Sequence, residues 1–470
     1  MPTPPPVSAN APTELSLSDA LRMAVEMHQG RLFEDAETLY GRILAVVPQQ
    51  PDALHLLGML RHQMGRSEEG LALMERAIAV EPGFAGYHNN LGNIHASHGR
   101  VELATRAYEA ALALAPEDAD LHNNLGALYK AERRFEAAQA CYERAVALDA
   151  QHIRALNNLG LLYAELGDRP QAIRYYVKSL ELMPGNASAR KLLGITYYTL
   201  GKIAEAAEVY RQWLEQEPDQ PMARHLYAAC TGQNVPARAA DDYVEQTFDR
   251  FAESFESVLN ERLDYKAPQL CAALLAEHLP TPQQQFVLLD AGCGTGLCGP
   301  LVAPWAKTLA GVDLSRGMLD QAQTKGVYSD LYKAELGEFL QLSKGHWDVI
   351  VSADTLCYFG DMQPLMHAAA GALREAGTLV FTVEALPDEA ALPYRLEPHG
   401  RYAHAKAYVA AVLAEAGLHC EAVSAVVLRQ EGGKPVHGWL VLALKTATLA
   451  ATAVPPTLHG FTPWPPRPSP

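Results

Sequence analysis

The sequence predicts two folds in one chain, an all-α repeat array followed by an α/β domain with a parallel sheet. Residues of the same type recur at 34-residue spacing between residues 17 and 220. Strand-like and helix-like segments alternate from residue 266 onward, and a glycine-rich turn follows the first of these strands. A fixed period of this length is typical of stacked helical units, and the alternation is typical of a parallel sheet covered on both faces.

The composition indicates a folded protein with an acidic surface. Of the 470 residues, 49% are apolar, and 38 Lys+Arg against 54 Asp+Glu give a formal charge of −16. A protein that binds DNA needs clustered basic residues to release counterions, and no apolar run reaches the ~18–20 residues of a membrane span. The cysteines are scattered without metal-ligand spacing. We therefore expect a cytoplasmic protein with no nucleic-acid partner, no membrane partner and no metal.

The repeats place small and large residues at fixed positions. They begin at residues 17, 51, 85, 119, 153 and 187, with Gly or Ala at positions eight and twenty, mostly Tyr at twenty-four and usually Pro near the end. The small residues allow two helices to approach closely, the large residue fills the space between that pair and the next, and proline ends the second helix. This pattern resembles tetratricopeptide (TPR) repeats. The resemblance implies a solenoid over 17–230, formed by six repeats and a capping helix.

Doubled asparagines recur at one-repeat spacing in the middle of the array. The amides of Asn90, Asn124 and Asn158 each offer hydrogen-bond donors and an acceptor. The NNLG string resembles the repeat arm of O-GlcNAc transferase, where such a ladder binds an extended peptide. Asparagine is also ordinary in TPR helices, where it bonds locally. We expect a protein or peptide partner in the groove of the array, with these three amides as candidate contacts.

Segment 231–265 is predicted to join the two folds. Its first part, TGQNVPARA, is polar and contains Gly, Asn and Pro, as expected of a linker. An amphipathic helix with an aromatic face follows. That face is formed by Tyr243, Phe248, Phe251, Phe255 and Val258. The helix either docks onto the next domain or forms a lid over a ligand pocket.

The elements of the second half follow from its apolar runs and turn residues. The predicted strands cover 286–290, 308–312, 348–351 and 377–383, with a short strand before Glu335 and a closing hairpin at 419–428 and 436–444. The predicted helices cover 268–279, 315–324, 362–375 and 403–416. The closing hairpin implies one antiparallel strand at the end of a parallel sheet.

The turn after the first strand carries the strongest functional signal. Asp290 ends the strand, and Gly292, Gly294 and Gly296 follow. Glycine permits a tight turn and the close approach of a ligand. Residues 294–299 fit GxGxxG, the dinucleotide fingerprint, so a nicotinamide cofactor is one alternative. The longer string Asp-x-Gly-x-Gly-x-Gly resembles motif I of the class I methyltransferases, which bind S-adenosylmethionine (SAM), and an acidic residue there can hold the cationic amino group of SAM.

Further residues extend this resemblance over about 243–445. Asp313 ends the second strand, where a carboxylate can accept both ribose hydroxyls of SAM or of NAD. Met318 could pack on the adenine, and the resemblance implies that Glu335 accepts the adenine amino group. It also implies a seven-stranded sheet of order 3-2-1-4-5-7-6. The predicted SAM-binding residues are Asp290, Gly292, Cys293, Gly294, Gly296, Asp313, Leu314, Met318, Glu335, Leu336 and Ser352.

Methyl transfer is an in-line displacement that depends mainly on alignment. A general base is needed only if the acceptor must lose a proton. The candidate bases near the expected pocket mouth are Asp354, Tyr358, His399, Tyr402 and His404. No NPPY-like string follows the fourth strand, which argues against methylation of amino groups in DNA bases or glutamine.

These signals predict SAM-dependent methyl transfer to an acceptor recruited by the TPR array. An interaction scaffold with a SAM-sensing or inactive methyltransferase fold is the alternative, and an NAD-dependent oxidoreductase is a less favoured one. The predicted organisation is a disordered start at 1–16, a TPR solenoid at 17–230, a linker and lid helix at 231–265, a methyltransferase domain at 266–446 and a disordered proline-rich tail at 447–470.

Overall fold

The computed structural model describes residues 15–249, 252, 263–387, 391–431, 434–446 and 463–465. The chain divides into two compact units, Met1–Thr196 and Tyr197–Pro470. This division falls inside the predicted solenoid, so the second helix of the last repeat and the capping helix belong to the second unit. The predicted disorder of 1–14 and of most of the tail lies outside the described residues, as do Phe251, Phe255 and Val258 of the expected lid helix.

The first unit consists of paired helices. Their bounds are α1 Leu17–Gln29, α2 Phe33–Val46, α3 Pro51–Gln63, α4 Ser67–Val80, α5 Ala85–Ser97, α6 Val101–Leu114, α7 Ala119–Ala131, α8 Phe135–Leu148, α9 Ile153–Glu165, α10 Arg169–Leu182 and α11 Ala187–Thr199. The first helix of each pair has 13 residues and the second has 14. This regular alternation confirms the predicted helical repeats.

The glycine at position eight of a repeat lies under the ring at position twenty-four. A Cβ added at Gly92 would come within 2.7 Å of the Tyr108 ring. Tyr108 also packs with Leu125 and Leu128 of the following repeat. The large residue therefore fills the space between neighbouring helix pairs, as predicted, and it does so by lying on the glycine of its own pair.

The turn between the two helices of each repeat contains a residue in the left-handed conformation. These residues, which follow one another at one-repeat spacing, are Arg31, Gly65, Gly99, Arg133, Gly167 and Gly201. Glycine adopts positive φ without steric cost, whereas a residue with a Cβ pays roughly 1–2 kcal/mol. Arg31 and Arg133, with φ near 60°, are therefore strained positions in a regular array.

The second unit begins with helices and continues as a sheet with helices around it. Its helices are α12 Ile203–Gln216, α13 Pro221–Thr231, α14 Asp241–Asp249, α15 Ala267–His278, α16 Gly299–Val302, α17 Arg316–Gln323, α18 Leu336–Leu342, α19 Gln363–Ala372 and α20 Lys406–Glu415. Its strands are β1 Phe286–Ala291, β2 Ala306–Asp313, β3 Asp330–Lys333, β4 Trp347–Ser352, β5 Leu373–Ala385, β6 Tyr394–Leu396, β7 Tyr402–His404, β8 Leu418–Glu431 and β9 Lys434–Lys445.

The sheet has the predicted strand order. The path of neighbouring strands is β3-β2-β1-β4-β5-β7-β6, and the β8–β9 hairpin joins β5 through β9. Strands β1 to β5 are parallel to their neighbours, whereas β9 is antiparallel to both β5 and β8. If the three-residue strands β6 and β7 are left out, β8 and β9 are the sixth and seventh strands along the chain. Because β9 lies between β5 and β8, the order at this end of the sheet is then 5-7-6, as predicted.

Alternate residues of each central strand enter two separate cores. Leu288 of β1 packs with Val349 of β4 and Leu275 of α15 on one face. The adjacent residue Leu289 packs on the other face in a cluster with residues of α18, α19 and α20. The period of two along a strand therefore produces the helix-covered parallel sheet that the sequence predicts.

Two short strands and two helix boundaries differ from the prediction. The helix expected at 403–416 begins only at Lys406, because Tyr402–His404 form β7, which pairs in parallel with the end of β5. The helix expected at 362–375 ends at Ala372, and β5 begins at the next residue. Strands β6 and β7 are three residues long, too short for a period of two to identify them in the sequence.

The capping helix and the linker pack against the sheet within the second unit. His225 of α13 bonds the Gly400 carbonyl oxygen through Nε2 at 2.8 Å, and its ring stacks on Tyr243 of α14 with centroids 4.0 Å apart. The amides of Gly360 and Asp361 both donate to the carbonyl of Ala237 at 2.8 Å. The segment expected to be a simple linker is therefore part of a buried interface.

The described residues of the tail also make specific contacts. The backbone amide of Trp464 donates to the carbonyl of Leu331 in the edge strand β3 at 2.6 Å. Its indole N–H donates to Asp320 at 3.1 Å. This docking differs from the expected disorder for residues 463–465. In the described part of the chain, none of the helices combines the length and the apolar character needed to traverse a bilayer.

Candidate active site

Three glycines with positive φ shape the turn after β1. The φ angles of Gly292, Gly294 and Gly296 are 73°, 54° and 84°. A Cβ at Gly292 would collide with the side chain of Thr355, whereas a Cβ at Gly294 would meet none of the described residues within 4 Å. The turn is therefore packed against the chain after β4 and open beside Gly294. The helix expected directly after it is only the single turn α16.

Asp290 is a buried carboxylate at the carboxyl end of β1. It is 1% exposed, and the Tyr328 hydroxyl donates to Oδ2 at 2.6 Å. Burial raises the pKa of Asp290 to about 7; the nearby Asp313 charge acts in the same direction, and the bond from Tyr328 opposes them. Among the described residues, no cationic group forms an ion pair or hydrogen bond with Asp290. A buried carboxylate without a counter-charge is costly, so this position favours a positively charged ligand.

Asp313 organises the ends of β1 and β2. Its Oδ2 accepts from the amide of Gly294 at 2.9 Å, and its Oδ1 accepts from the amide of Ser315 at 2.8 Å. Burial raises the pKa of Asp313, and the backbone amides that bond it act in the opposite direction. Each carboxylate oxygen has a further lone pair, so the side chain can still accept two ligand hydroxyls.

The remaining predicted cofactor residues lie along the same edge of the sheet. Ser352 donates to the carbonyl of Ala291 at 2.7 Å and so ties the end of β4 to the end of β1. Glu335 caps α18 by accepting from the amide of Glu338 at 2.8 Å. Met318 is 1% exposed, whereas Leu314 is half-buried. Met318 therefore offers little surface for adenine packing in this arrangement.

Cys293 and Leu336 are buried residues that support the site from behind. Cys293 packs with Leu319, Ala322 and Leu331, and burial raises the pKa of its thiol well above the ordinary value. Leu336 belongs to the core cluster under α18 and α19. Both side chains are apolar packing groups here, and a thiol of this kind is neutral and unreactive near pH 7.

Helix α14 reaches the carboxyl ends of three strands. Oδ1 of Asp249 accepts from the Ser315 hydroxyl at 2.5 Å and from the amide of Gly317 at 3.1 Å. Lys333 at the end of β3 pairs with Glu245 at 2.5 Å. The ring of Phe248 meets that of Tyr358, after β4, edge-on at 5.5 Å. These contacts dock the helix at this edge of the sheet.

A buried ion-pair network occupies the other half of this edge. Arg429 of β8 is 2% exposed, and its Nη1 donates to both carboxylate oxygens of Asp354, at 2.9 and 2.7 Å. It also pairs with Glu384 of β5 and, at 2.7 Å, with Glu431. Arg401 pairs with the same two glutamates at 2.6 and 2.5 Å. Because the two arginines share the same glutamates through charge-assisted hydrogen bonds, the side chains of this network are fixed in a single arrangement.

The candidate bases are held in structural interactions. Asp354 faces Arg429, and its φ of 57° is held by this network and by a bond from its amide to the Thr382 hydroxyl at 2.8 Å. His404 is fully buried, its Nε2 bonds the carbonyl of Phe359 at 2.8 Å, and burial lowers its pKa to about 4. A neutral, buried imidazole is poorly placed to accept a proton from an acceptor.

The aromatic and histidine candidates differ from one another in exposure. Tyr358 is half-buried and faces Phe248 of the lid helix. Tyr402 is buried, and its hydroxyl donates to the carbonyl of Pro236 at 2.7 Å. His399 lies 3.4 Å from Glu384, yet burial and the charge of Arg401 lower its pKa to about 4. The ring of Tyr358 therefore packs against α14.

Several residues of this site were not recognised in the sequence. Tyr328, Asp249, Arg401 and Arg429 were not among the predicted site residues, and they reach the site only through the fold. Thr295, between two glycines of the turn, is 1% exposed, and its hydroxyl has no hydrogen-bond partner among the residues that the structure describes. An orphaned buried hydroxyl indicates a missing ligand or water. The cationic preference at Asp290, this hydroxyl and the open space beside Gly294 together fit SAM. Among the described residues, no cluster has the ligands for a metal.

The asparagine ladder of the first unit forms bonds between repeats. The amide nitrogen of Asn124 donates to Asn89 at 3.0 Å, and that of Asn158 donates to Asn123 at 2.9 Å. Asn90 bonds Nε2 of His55 at 3.0 Å. The predicted peptide contacts therefore connect adjacent helices, while the second N–H of each amide remains as a donor for a ligand.

Comparison with known proteins identifies both parts of the chain. A family model described as "Methyltransferase domain" matches residues 289–381, which include Asp290, the three glycines and Asp313. Models described as "Tetratricopeptide repeat" or "TPR repeat" match residues 51–84, 92–132, 117–185 and 163–230. The chain combines TPR repeats with a class I methyltransferase domain. The predicted family resemblance and fold class are confirmed.

The similar proteins match the chain in part. Methyltransferase-like protein 27 of Homo sapiens is 39% identical over 111 residues, which cover 23% of this chain and 45% of that protein. The 18S rRNA (guanine-N(7))-methyltransferase of Mus musculus is 32% identical over 101 residues, or 21% of this chain and 36% of that one. The chain thus spans less than half of these relatives. The crystal structure of PilW, a type IV pilus biogenesis factor, is 19% identical, with a TM-score of 0.41, over 44% of this chain and 96% of that one.

Proposed function

We propose that this chain transfers a methyl group from SAM to a protein or peptide held by its TPR repeats. The observation that carries the proposal is the buried Asp290 carboxylate, which faces a glycine turn and has no described cationic partner. SAM carries a positive charge that this carboxylate can neutralise, whereas the nicotinamide dinucleotide alternative has no cation to place there.

The chain contributes binding and alignment. SAM supplies an activated methyl group on its sulfonium. Asp290 holds the amino group, Asp313 accepts the ribose hydroxyls, and Glu335 accepts from the adenine amino group. The glycine turn and Leu314 line the rest of the site, while Cys293, Leu336 and Ser352 support it from behind and α14 excludes water from it. Such alignment supplies most of the acceleration of a displacement reaction.

No general base is assigned to this reaction. Asp354 is paired with Arg429, and His404 is neutral and buried. An acceptor that is already a good nucleophile, such as a neutral amine or a thiolate, needs no base at the moment of transfer. The half-buried Tyr358 beside Phe248 is a contact for the acceptor rather than a base.

The acceptor is inferred from the repeats and from the charge. The amides of Asn90, Asn124 and Asn158 offer a row of donors at one-repeat spacing, which suits the carbonyl groups of an extended peptide. The mouse relative is named for an rRNA acceptor. A polyanion would be repelled by a chain with a formal charge of −16, so a peptide is favoured.

The cofactor can be tested by calorimetry on the full chain. We expect SAM to bind and Asp313→Ala to weaken binding at least tenfold, which is about 1.4 kcal/mol. The matched control is Asp330→Ala, which removes an exposed carboxylate of β3 and should leave SAM affinity unchanged. Binding of NAD in place of SAM would favour the oxidoreductase alternative instead.

The activity can be tested by incubating the protein with methyl-labelled SAM and a cell extract. We expect label in a protein fraction that is sensitive to protease and resistant to ribonuclease. Label in RNA would exclude the proposed acceptor class. SAM binding without any labelled product would favour a scaffold that senses SAM.

A further inference from the structure

Tyr328 precedes β3 and lies opposite the cofactor turn. Its hydroxyl donates to Asp290 at 2.6 Å. A Cβ added at Gly299 would come within 2.7 Å of this tyrosine, one at Gly296 within 3.0 Å and one at Gly311 within 3.1 Å. Three glycines on two elements therefore leave the space that the phenol ring fills. The ring is fixed on a glycine surface, and its hydroxyl is aimed at one oxygen of the carboxylate.

The other groups that face Asp290 do not stabilise its charge. Asp313, at the end of β2, repels it. The thiols of Cys271 on α15 and of Cys293 and Cys298 in the turn lie near it, and burial raises the pKa of all three. These thiols are neutral near pH 7. Among the described residues, Tyr328 is therefore the group whose hydrogen bond favours the ionised carboxylate.

We propose that Tyr328 is a positioning residue for the cofactor, which orients the Asp290 carboxylate and keeps it ionised for a cationic ligand. The inference rests on the proposed binding of SAM. With one oxygen held by the phenol, the second oxygen is left to meet the amino group. The bond also fixes the side chain in one orientation, so that less conformational freedom is lost when the cofactor binds.

This arrangement predicts a specific pH dependence. Asp290 has a pKa of about 7 in the folded chain, so it holds a proton below that pH and cannot attract a cation. SAM affinity should therefore fall as the pH is lowered through 7, by up to about tenfold per pH unit. Removing the phenol hydroxyl raises the pKa of Asp290 further, which moves this fall to a higher pH.

The test is calorimetry of the full-length Tyr328→Phe variant with SAM between pH 6 and 9. The variant keeps the ring that packs on the glycines, and thermal unfolding verifies its fold. We expect SAM affinity at pH 7 to fall roughly three- to tenfold and to approach the wild-type value at pH 9. The matched control is Tyr332→Phe, a buried tyrosine on β3 whose ring meets Phe339. Tyr332→Phe should show the same dependence of SAM affinity on pH as the wild-type protein.

Two outcomes overturn the proposal. If SAM affinity depends on pH in Tyr328→Phe as it does in the wild type, the hydroxyl is not needed. If the variant loses the same affinity for SAM at every pH, the residue only supports the fold. Should Tyr328→Phe not fold, Tyr328→Met gives the same comparison with a flexible apolar side chain. Asp290→Asn should lose the fall in SAM affinity through pH 7 that the Asp290 carboxyl causes. Failure of the wild-type protein to bind SAM at any pH would instead refute the proposed function.

Discussion

At the scale of single residues, two glycines of the cofactor turn have separate tasks. Gly292 and Gly294 both have positive φ, but their surroundings differ. The side chain of Thr355 occupies the space beside Gly292, and its hydroxyl donates to the Gly292 carbonyl at 3.1 Å. In the described part of the chain, nothing lies within 4 Å of a Cβ at Gly294. One glycine thus serves packing, and the other leaves space for a ligand.

Alanine substitutions should separate these tasks. Both variants pay for a Cβ at positive φ, roughly 1–2 kcal/mol. Gly292→Ala should cost about 1–3 kcal/mol more than Gly294→Ala in the free energy of unfolding, because it also overpacks the Thr355 contact. Gly294→Ala should instead weaken SAM binding at least tenfold, since its methyl group enters the open space. Denaturation and calorimetry measure the two effects. Equal destabilisation by both substitutions would contradict the assignment.

At the scale of elements, the turn of each repeat shows how local strain is distributed along the array. The fifteenth position is left-handed in all six repeats, yet Arg31 and Arg133 occupy it in two of them. The guanidinium of Arg133 lies 5.8 Å from the centre of the Phe135 ring, a cation–π contact that offsets part of the strain. Regular packing of the helices therefore requires a left-handed residue at this position, and glycine occupies the position in four of the six repeats.

Arg133→Gly should stabilise the protein. Relief of the left-handed strain gains roughly 1–2 kcal/mol, and the larger backbone entropy of glycine in the unfolded chain removes about 0.4–1 kcal/mol of this. Loss of the cation–π contact with Phe135 removes about a further 0.5 kcal/mol. We therefore expect a net gain of about 0.3 kcal/mol, measured as a higher temperature of thermal unfolding. The control is Arg134→Gly, since the neighbouring arginine has φ of −85° and should not gain. A lower unfolding temperature for Arg133→Gly would refute the strain argument.

At the scale of the whole molecule, the boundary between the compact units differs from the boundary between the sequence patterns. The repeat period continues to residue 220, but α12 and α13 belong to the second unit. His225 of α13 bonds the carbonyl of Gly400, and its ring stacks on Tyr243 of α14, so α13 is attached to the methyltransferase part of the second unit. A truncation at residue 220 would therefore damage the catalytic unit, so recognition by the repeats is better tested in the full chain.

The triple substitution Asn90→Ala, Asn124→Ala and Asn158→Ala tests that recognition. If the amides bind the acceptor, the apparent KM for the acceptor should rise about tenfold while SAM affinity is unchanged. The double variant Glu102→Ala and Glu136→Ala is the control, because it alters exposed positions of the second helices at the same repeat spacing. Initial rates with the labelled acceptor provide the measurement. An unchanged KM in the triple variant would remove these amides from the acceptor site.

Much of the fold could be predicted because it depends on periodic burial. The 34-residue period and the alternation along strands determine which faces are apolar, and apolar faces determine which elements stack. Strands β6 and β7 could not be predicted, since three residues carry no period and their pairing depends on the end of β5. For the same reason, His404 was expected in a helix and lies in a strand.

The sequence by itself determined the repeats and the carboxylates that follow β1 and β2, because each is encoded by local pattern and by the chain direction of a parallel sheet. The order of the sheet was implied by the family resemblance. Only the tertiary structure decided which groups surround those carboxylates. Tyr328 reaches Asp290, and Arg429 reaches Asp354, across 38 and 75 residues of chain. Burial and charge act through space, so the pKa of Asp290 and the pairing of Asp354 are properties of the folded chain.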